Sequence, residues 1–314
     1  MLRSADLSGK RVVVTGATGF LGGHVLGQLL TTGATVIAVA DRDRTARRSE
    51  HPVRSMETLW FDRPEQLAES VQSAKPDYVV HLHAAVTTNR SAAAVRSTLE
   101  ANLLPSLDLM TACVETQVKR LILIGSGEEF GPVTGPFDEN TASDPVSPYG
   151  ASKAAVTAYA RMFHRAFQLP VVVLRPSVVY GPFQAPRMLI PQVLQSLLEG
   201  KEVAVTEGRQ TRDFIHVEDV AKGIVSALIK EGIEGRSFNL ASGEVATVRD
   251  CLERIERITG RHGLIRYGAL PYKTGEIFSY EPIAESTFSA LNWRPAISLD
   301  DGLTETWESI RNPA

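Results

Sequence analysis

Residues 11–30 read RVVVTGATGFLGGHVLGQLL. The opening run is apolar and β-branched, as expected of a strand buried on both faces. Directly after it come Gly16, Gly19 and Gly22 in the spacing G-x-x-G-x-x-G, followed by a stretch whose periodicity predicts a helix from about Leu21 to Thr32. Glycine at a strand-to-helix turn lets the chain bend tightly. It also lets backbone N–H groups approach a pyrophosphate at the positive end of the helix. A glycine-rich turn that serves only helix–strand packing is the plain alternative, but a position between first strand and first helix is the context the phosphate cradle requires. Gly16, Thr18, Gly19, Phe20, Leu21 and Gly22 are the predicted cofactor contacts of this turn.

Outward from the turn, similar apolar runs alternate with helical patterns. TVIAVA, TLWF, DYVVHL and RLILIGS are separated by helices that begin near Glu65 and Ala92. The pattern predicts an α/β fold with a doubly wound parallel sheet. After SPYGASKAAVTAYARMFHRAF, the run VVVLRPSVVYG predicts another buried strand and RSFNLASG an edge strand. GPFQAPRMLIP opens a helix, and the chain beyond Gly260 holds most of the remaining Tyr, Pro and Trp. A dinucleotide-binding domain is therefore placed at 1–180, with a returning segment at 208–243. A smaller, C-terminal substrate-binding lobe takes 181–207 and 244–314.

Bulk properties narrow the classes of partner. The 314 residues are 43% hydrophobic and 22% charged, with a net charge of −3 and a pI near 6.2. No basic field exists to attract nucleic acid. No apolar run reaches the roughly 20 residues of a membrane span, and MLRSADLSGK leads into a strand without a signal-peptide core, so a cytoplasmic location and no membrane partner are expected. Cys113 and Cys251 lie far apart and predict buried small residues, with neither a disulfide nor a metal site.

At the second strand, TVIAVADRDRTARR places Asp41 at the strand end, with Arg42, Arg44, Arg47 and Arg48 following. An acid there favours the ribose hydroxyls of NAD, whereas guanidinium groups favour the extra phosphate of NADP. The arginine cluster tilts the expectation towards NADP(H) over NAD(H). Asp62 and Ala84, just past TLWF and DYVVHL, are further predicted cofactor contacts.

Residues 147–153, SPYGASK, put Ser147 and Pro148 at the start of a helix and Tyr149 in its first turn. Lys153, four residues on, shares the face of Tyr149. An ammonium neighbour and the positive helix end both stabilise phenolate, which brings the phenol towards acid/base range. Ser126, at the carboxyl end of RLILIG, stands where ligands bind in open parallel sheets and can hold the oxygen that Tyr149 protonates. His81 and His83 fall on one face by alternation and are expected to be core or cofactor-proximal, not metal ligands.

TGATGFLG, Asn102, Ser126 and the Tyr149–Lys153 pair together resemble the extended short-chain dehydrogenase/reductases, Rossmann-type enzymes that include nucleotide-sugar epimerases, dehydratases and 4-ketoreductases. The resemblance continues through LRPSVVYGPFQAPRMLIP and RQTRDFIHVEDVAKGI to SFNLASG and LNWRP. It implies that Tyr149 exchanges a proton with the sugar, Lys153 holds the nicotinamide ribose, Ser126 orients the sugar oxygen and Asn102 supports nearby helix geometry. It further implies a nucleotide-diphosphate sugar as substrate, with Arg212 on the diphosphate, Lys273 in place of a second phosphate arginine, and Thr87 and Arg187 as additional substrate contacts. A homodimer through the helices at about 92–117 and 149–167 is implied in the same way.

The loop GSGEEFG separates the reactions. Family 4,6-dehydratases carry Thr-Asp-Glu or Thr-Ser-Glu where this chain has Ser126, Gly127 and Glu128. Glu128 can serve as the base, but Gly127 supplies no acid. The Glu128–Glu129 pair, then Phe130 and Gly131, looks more like the loop of GDP-4-keto-6-deoxymannose reductases. The sequence therefore favours a 4-ketoreductase of a nucleotide-linked deoxysugar. A 4-epimerase with tightly bound NAD is the alternative, and a 4,6-dehydratase is third. A nucleotide-binding regulator without turnover is set aside because Ser126, Tyr149 and Lys153 are all present.

Overall fold

The structure is a computed structural model that describes residues 6–42, 56–63 and 66–312. Arg44, Arg47, Arg48 and Glu65 lie outside the described residues. Seven parallel strands form the central sheet: β1 (Arg11–Thr15), β2 (Thr35–Asp41), β3 (Thr58–Phe61), β4 (Tyr78–His81), β5 (Arg120–Ile124), β6 (Val171–Pro176) and β10 (Ser237–Leu240). Their order is β10-β6-β5-β4-β1-β2-β3, so the winding reverses between β1 and β4. The crevice outside the carboxyl ends of those two strands is where such a sheet binds ligand. The doubly wound expectation holds, and β10 is the edge strand that RSFNLASG predicts.

Alternation along the strands divides the interior into two layers. Val12, Val14, Val80 and Ile122 face α1 (Phe20–Leu30) and α6 (Val217–Ile229). Val13, Val79, Leu121 and Leu123 face α2 (Gln66–Ala74), α3 (Ala94–Glu115) and α4 (Pro148–Phe167). Both faces are covered, which is why these strands read as unbroken apolar runs.

VVVLRPSVVYG is not one strand. It splits into β6 and β7 (Val178–Tyr180), which belong to different sheets. Pro176 has no N–H for the ladder, Ser177 N–H donates to Leu240 O at 2.9 Å, and the chain then leaves the central sheet. β7 pairs with β9 (Thr211–His216), which also pairs with β11 (Val245–Thr247). β8 (Val203–Ala204) pairs with β12 (Ile265–Arg266). A third core joins α5 (Leu189–Leu198), α7 (Val248–Thr259) and α9 (Leu299–Arg311) through Val193, Leu194, Leu252, Ile255 and Leu303. The short α8 (Glu285–Leu291) packs by Phe288 and Leu291 against the first layer. Cys113 and Cys251 are both buried free thiols.

Candidate functional site

The glycine turn has no room for side chains. Gly16 has φ +68°, and a Cβ there would lie 2.7 Å from the backbone nitrogen of His83, just past β4. At Gly22 a Cβ would lie 2.4 Å from Gly16 O, so the third glycine seats α1 on the turn. α1 starts at Gly19 with no side-chain cap, which leaves its first N–H groups available to an anion. Thr18 is buried, while Phe20 and Leu21 are half-buried at the helix start. These features fit a dinucleotide pyrophosphate.

Around the turn, the other predicted cofactor residues divide. Asp41 closes β2 in register with Phe61. Arg42 is turned away to the surface: its Nε donates to Asp62 Oδ1 at 3.1 Å and its guanidinium lies 5.9 Å from the Trp60 ring centroid. Ala84 is half-buried in the segment after β4. Asn102 on α3 accepts from Ala85 N–H at 2.7 Å and donates to Ala85 O and Ser152 Oγ. It ties that segment to Ser152 on α4. His81 Nδ1 lies 2.7 Å from Thr15 Oγ1, and its Nε2 lies 3.1 Å from Ser106 Oγ, whose own proton goes to Asn102 O. The proton must therefore sit on Nε2, with Nδ1 accepting from Thr15. Burial holds this imidazole well below its ordinary pKa and hence neutral. His83 packs edge-on against Phe61.

The residues predicted to handle a proton lie beyond β5 and at the start of α4. Ser126 is extended and caps a one-turn 3-10 segment, Gly127–Glu129: its hydroxyl accepts from Glu128 N–H while its own N–H donates to Glu129 Oε1 at 2.9 Å. Ser147 caps α4 by accepting from Gly150 N–H at 3.0 Å, with Pro148 next, so Tyr149 occupies the first turn as predicted. The Tyr149 phenol is buried, and the Ser126 side chain lies within its electrostatic reach. One turn on, Lys153 Nζ lies 5.9 Å from the Tyr149 ring centroid and donates to Ile124 O at 2.8 Å.

The electrostatics differ from the sequence expectation in one respect. Burial pushes the phenol of Tyr149 above its ordinary value and the Glu128 charge pushes it further, with the Ser126 side chain opposing them. The phenol is consequently protonated here, because its carboxylate neighbours and lost hydration outweigh the helix end, and the Lys153 ammonium is turned to a carbonyl. Burial also pushes Lys153 down to about 8, opposed by Glu129.

Three contacts at the site have no counterpart in the sequence reading. Glu129 is fully buried: Oε2 accepts from Thr157 Oγ1 and from Arg175 Nε, each at 2.8 Å, and the Arg175 side chain is only 2% exposed. Glu128 is half-buried and accepts from Ser147 Oγ at 2.7 Å. Tyr280 reaches in from the C-terminal part of the chain, and its phenol oxygen stands 1.6 Å from where a Cβ of residue 127 would be.

The predicted substrate residues are spread over four segments. Arg212 on β9 donates to Glu276 Oε1 at 2.6 Å and to Ile277 O at 2.7 Å, and Glu128 and Tyr280 lie within its electrostatic reach. Its partner is the acid of the Gly275–Glu276 pair. Lys273 is exposed at the start of the turn that Glu276 N–H closes onto Lys273 O. Arg90 in the segment after β4 donates to the carbonyls of Thr274 and Gly275, tying that turn to the Thr87 loop. Thr87 Oγ1 accepts from Asn89 N–H at 3.0 Å, and Arg187 is exposed before α5.

Arg175→Met strips the guanidinium from a buried carboxylate, so the unfolding free energy in denaturant should fall by about 3–5 kcal/mol. Converting Glu129 to Met as well should recover most of that loss; a single-variant loss of under about 1 kcal/mol would contradict the pair's importance. Lys153 gives a pH signature. The folded chain bears the full cost of a buried ammonium below about 8, then releases its proton while the unfolded chain keeps one up to about 10.5. Relative to Lys153→Met, the parent chain should therefore gain about 3 kcal/mol of stability between about pH 7 and 10.5, and a pH-independent gap would count against it.

Residues 12–241 match the profile of the NAD dependent epimerase/dehydratase family. The chain is 30% identical to a dTDP-glucose 4,6-dehydratase of an Actinoplanes species, covering 94% of this chain and 96% of that protein. It superposes on UDP-glucose 4-epimerase of Thermotoga maritima with UDP-glucose at a TM-score of 0.84 and 28% identity, over 96% of this chain and 98% of that one. DesIV, the dTDP-glucose 4,6-dehydratase of Streptomyces venezuelae with NAD and TYD bound, gives a TM-score of 0.85 at 27% identity, over 96% and 97%. Glycine turn, Ser–Tyr–Lys convergence and these similarities coincide over one chain, which belongs to the NAD dependent epimerase/dehydratase family as an enzyme of the extended short-chain dehydrogenase/reductase type.

Proposed function

We propose that this enzyme oxidises and re-reduces C4 of a nucleoside diphosphate hexose on tightly held NAD, interconverting C4 epimers. The observation that carries the reading is the closure of Gly127 by Tyr280. Dehydratases of the family carry Asp or Ser beside the glutamate, whereas Gly127 supplies neither and a side chain at position 127 would meet the Tyr280 phenol. Around Tyr149 stand the groups for moving one proton at one sugar oxygen, with Glu128 beside them.

When bound, the nicotinamide supplies a hydride acceptor and donor at C4. Ser126 holds the C4 oxygen by its hydroxyl, and Tyr149, protonated and beside Ser126, gives its proton to the 4-keto oxygen in the reductive half, becoming phenolate. In the oxidative half it is the phenolate of Tyr149 that takes the proton of the C4 hydroxyl. The Lys153 cation, 5.9 Å from the ring centroid, is the charge that favours the phenolate at that stage. Arg212 binds the diphosphate, which requires exchanging or sharing its bond to Glu276. Asp41 at the end of β2 takes the adenosine ribose, and the commitment of Arg42 to Asp62 supports NAD over NADP.

A 4-ketoreductase drawing on NADPH is the second reading, favoured by the likeness of GSGEEFG to the reductase loop. Its support is weaker because Glu129, half of that likeness, is spent on Ser126, Thr157 and Arg175. A homodimer through α3 and α4 is supported by apolar side chains exposed on them, among them Leu104, Tyr159 and Met162.

The test combines cofactor content and product. Purified enzyme should release NAD on denaturation and equilibrate UDP-glucose, or another nucleoside diphosphate hexose, with its C4 epimer without added reductant. Tyr149→Phe should lower turnover by at least about 100-fold while retaining NAD. Stoichiometric NADPH oxidation by a 4-keto sugar nucleotide would replace epimerisation with the reductase reading. Formation of a 4-keto-6-deoxy product would sink both.

A further inference from the structure

A cavity of about 540 Å³ opens at the outer edge of the central sheet, between the C-terminal half of α4, the start of β10 and the loop 138–140. None of its walls belongs to the site described above. Arg161 and Arg165, one turn apart on α4, and Arg236, beside the edge strand, line it. None of the ion pairs among the described residues involves these guanidiniums, although the Glu129 charge reaches Arg161 and the Arg236 guanidinium lies 4.7 Å from the Phe238 ring centroid. The carboxylates in the wall are already committed. Asp138 accepts from the N–H groups of Asn140 and Thr141 at 2.9 and 3.1 Å. Glu139 accepts from Asn239 N–H and from the hydroxyls of Thr287 and Ser286 at 3.2, 2.8 and 2.9 Å.

Two further observations point to a missing polar partner. The Ser237 hydroxyl in the wall is buried without a hydrogen bond, as are both side-chain amide atoms of Asn239, the next residue on that face of β10. Burial and the neighbouring charge of Arg175 hold Arg161 below its ordinary value, Glu129 opposing them and Arg165 adding to the repulsion. Guanidiniums without an ion-pair partner around a concave polar space can grip an oxyanion in a bidentate manner. The volume falls in the range of small-molecule sites, about 300–1,000 Å³.

We propose that this cavity is a second ligand site, which takes a phosphate-bearing small molecule of nucleoside diphosphate size through Arg161, Arg165 and Arg236. It stands independently of the reaction assigned above.

Calorimetric titration of the full chain, saturated with NAD and carrying Arg212→Ala, removes the glycine turn and the diphosphate arginine from the measurement. Inorganic pyrophosphate should bind at one site with Kd below about 1 mM. Arg165→Ala with Arg236→Ala should weaken it at least about ten-fold without changing the unfolding midpoint, and Arg165→Gln alone, at an exposed helical position, about three-fold. In the Arg212-intact background the same replacements should leave basal turnover unchanged. UDP in place of pyrophosphate identifies the source. Equal affinity marks a site that reads the oxyanion alone, whereas tighter binding that is lost with the same arginines marks a nucleotide site; both support the proposal. Absence of binding, equal binding by the parent and the double variant, or the same loss on replacing Arg257 and Arg261 outside the cavity would overturn it.

Discussion

The arrangement beyond β5 depends on one buried carboxylate. Glu129 has no exposed surface, yet it accepts hydrogen bonds from the Ser126 N–H at the end of β5, from Thr157 on α4 and from Arg175 on β6. A lone buried carboxylate is costly, and this one is tolerated because its oxygens are satisfied and a guanidinium neutralises it. The consequence is geometric. Strand end, helix and neighbouring strand are pinned at one point, which fixes Ser126 and α4, the helix that carries Tyr149, relative to each other.

Two glycines act at the other side of the crevice by omission. Gly16 lets the turn after β1 touch the backbone after β4, and Gly22 lets α1 sit on the turn. The reversal of strand order between β1 and β4 thereby stands beside helix N–H groups that no side chain caps. Gly127 uses the same omission for a different end, admitting the Tyr280 phenol where a side chain would stand. Fold and reaction are thus linked through places where the chain has no Cβ.

Local spacing made much of this legible in the sequence. The glycine turn is contiguous, Tyr149 and Lys153 are one helical turn apart, and the cap at Ser147–Pro148 fixes where that turn begins. Contacts between distant segments were not legible. Arg175 lies in the apolar run VVVLRP, where nothing marks it as the partner of Glu129, and Tyr280 reaches Gly127 across most of the C-terminal half of the chain. Nothing local marks Glu276 as the group that holds Arg212. The phenol's ionisation was misjudged for a related reason: helix end and lysine are visible in sequence, whereas burial beside Glu128 is a property of the fold. The break of VVVLRPSVVYG into two sheets follows from Pro176, whose missing N–H was visible but whose neighbour in the ladder was not.

The central claim is that Ser126 and Tyr149 act together on one oxygen. A double-mutant cycle on turnover addresses it most directly, with Ser126→Ala and Tyr149→Phe made singly and together. Residues that share one proton path are strongly non-additive, so the account predicts that the double variant is no slower than Tyr149→Phe alone. Losses that simply multiply would mean that the hydroxyl and the phenol serve separate steps, which would contradict it.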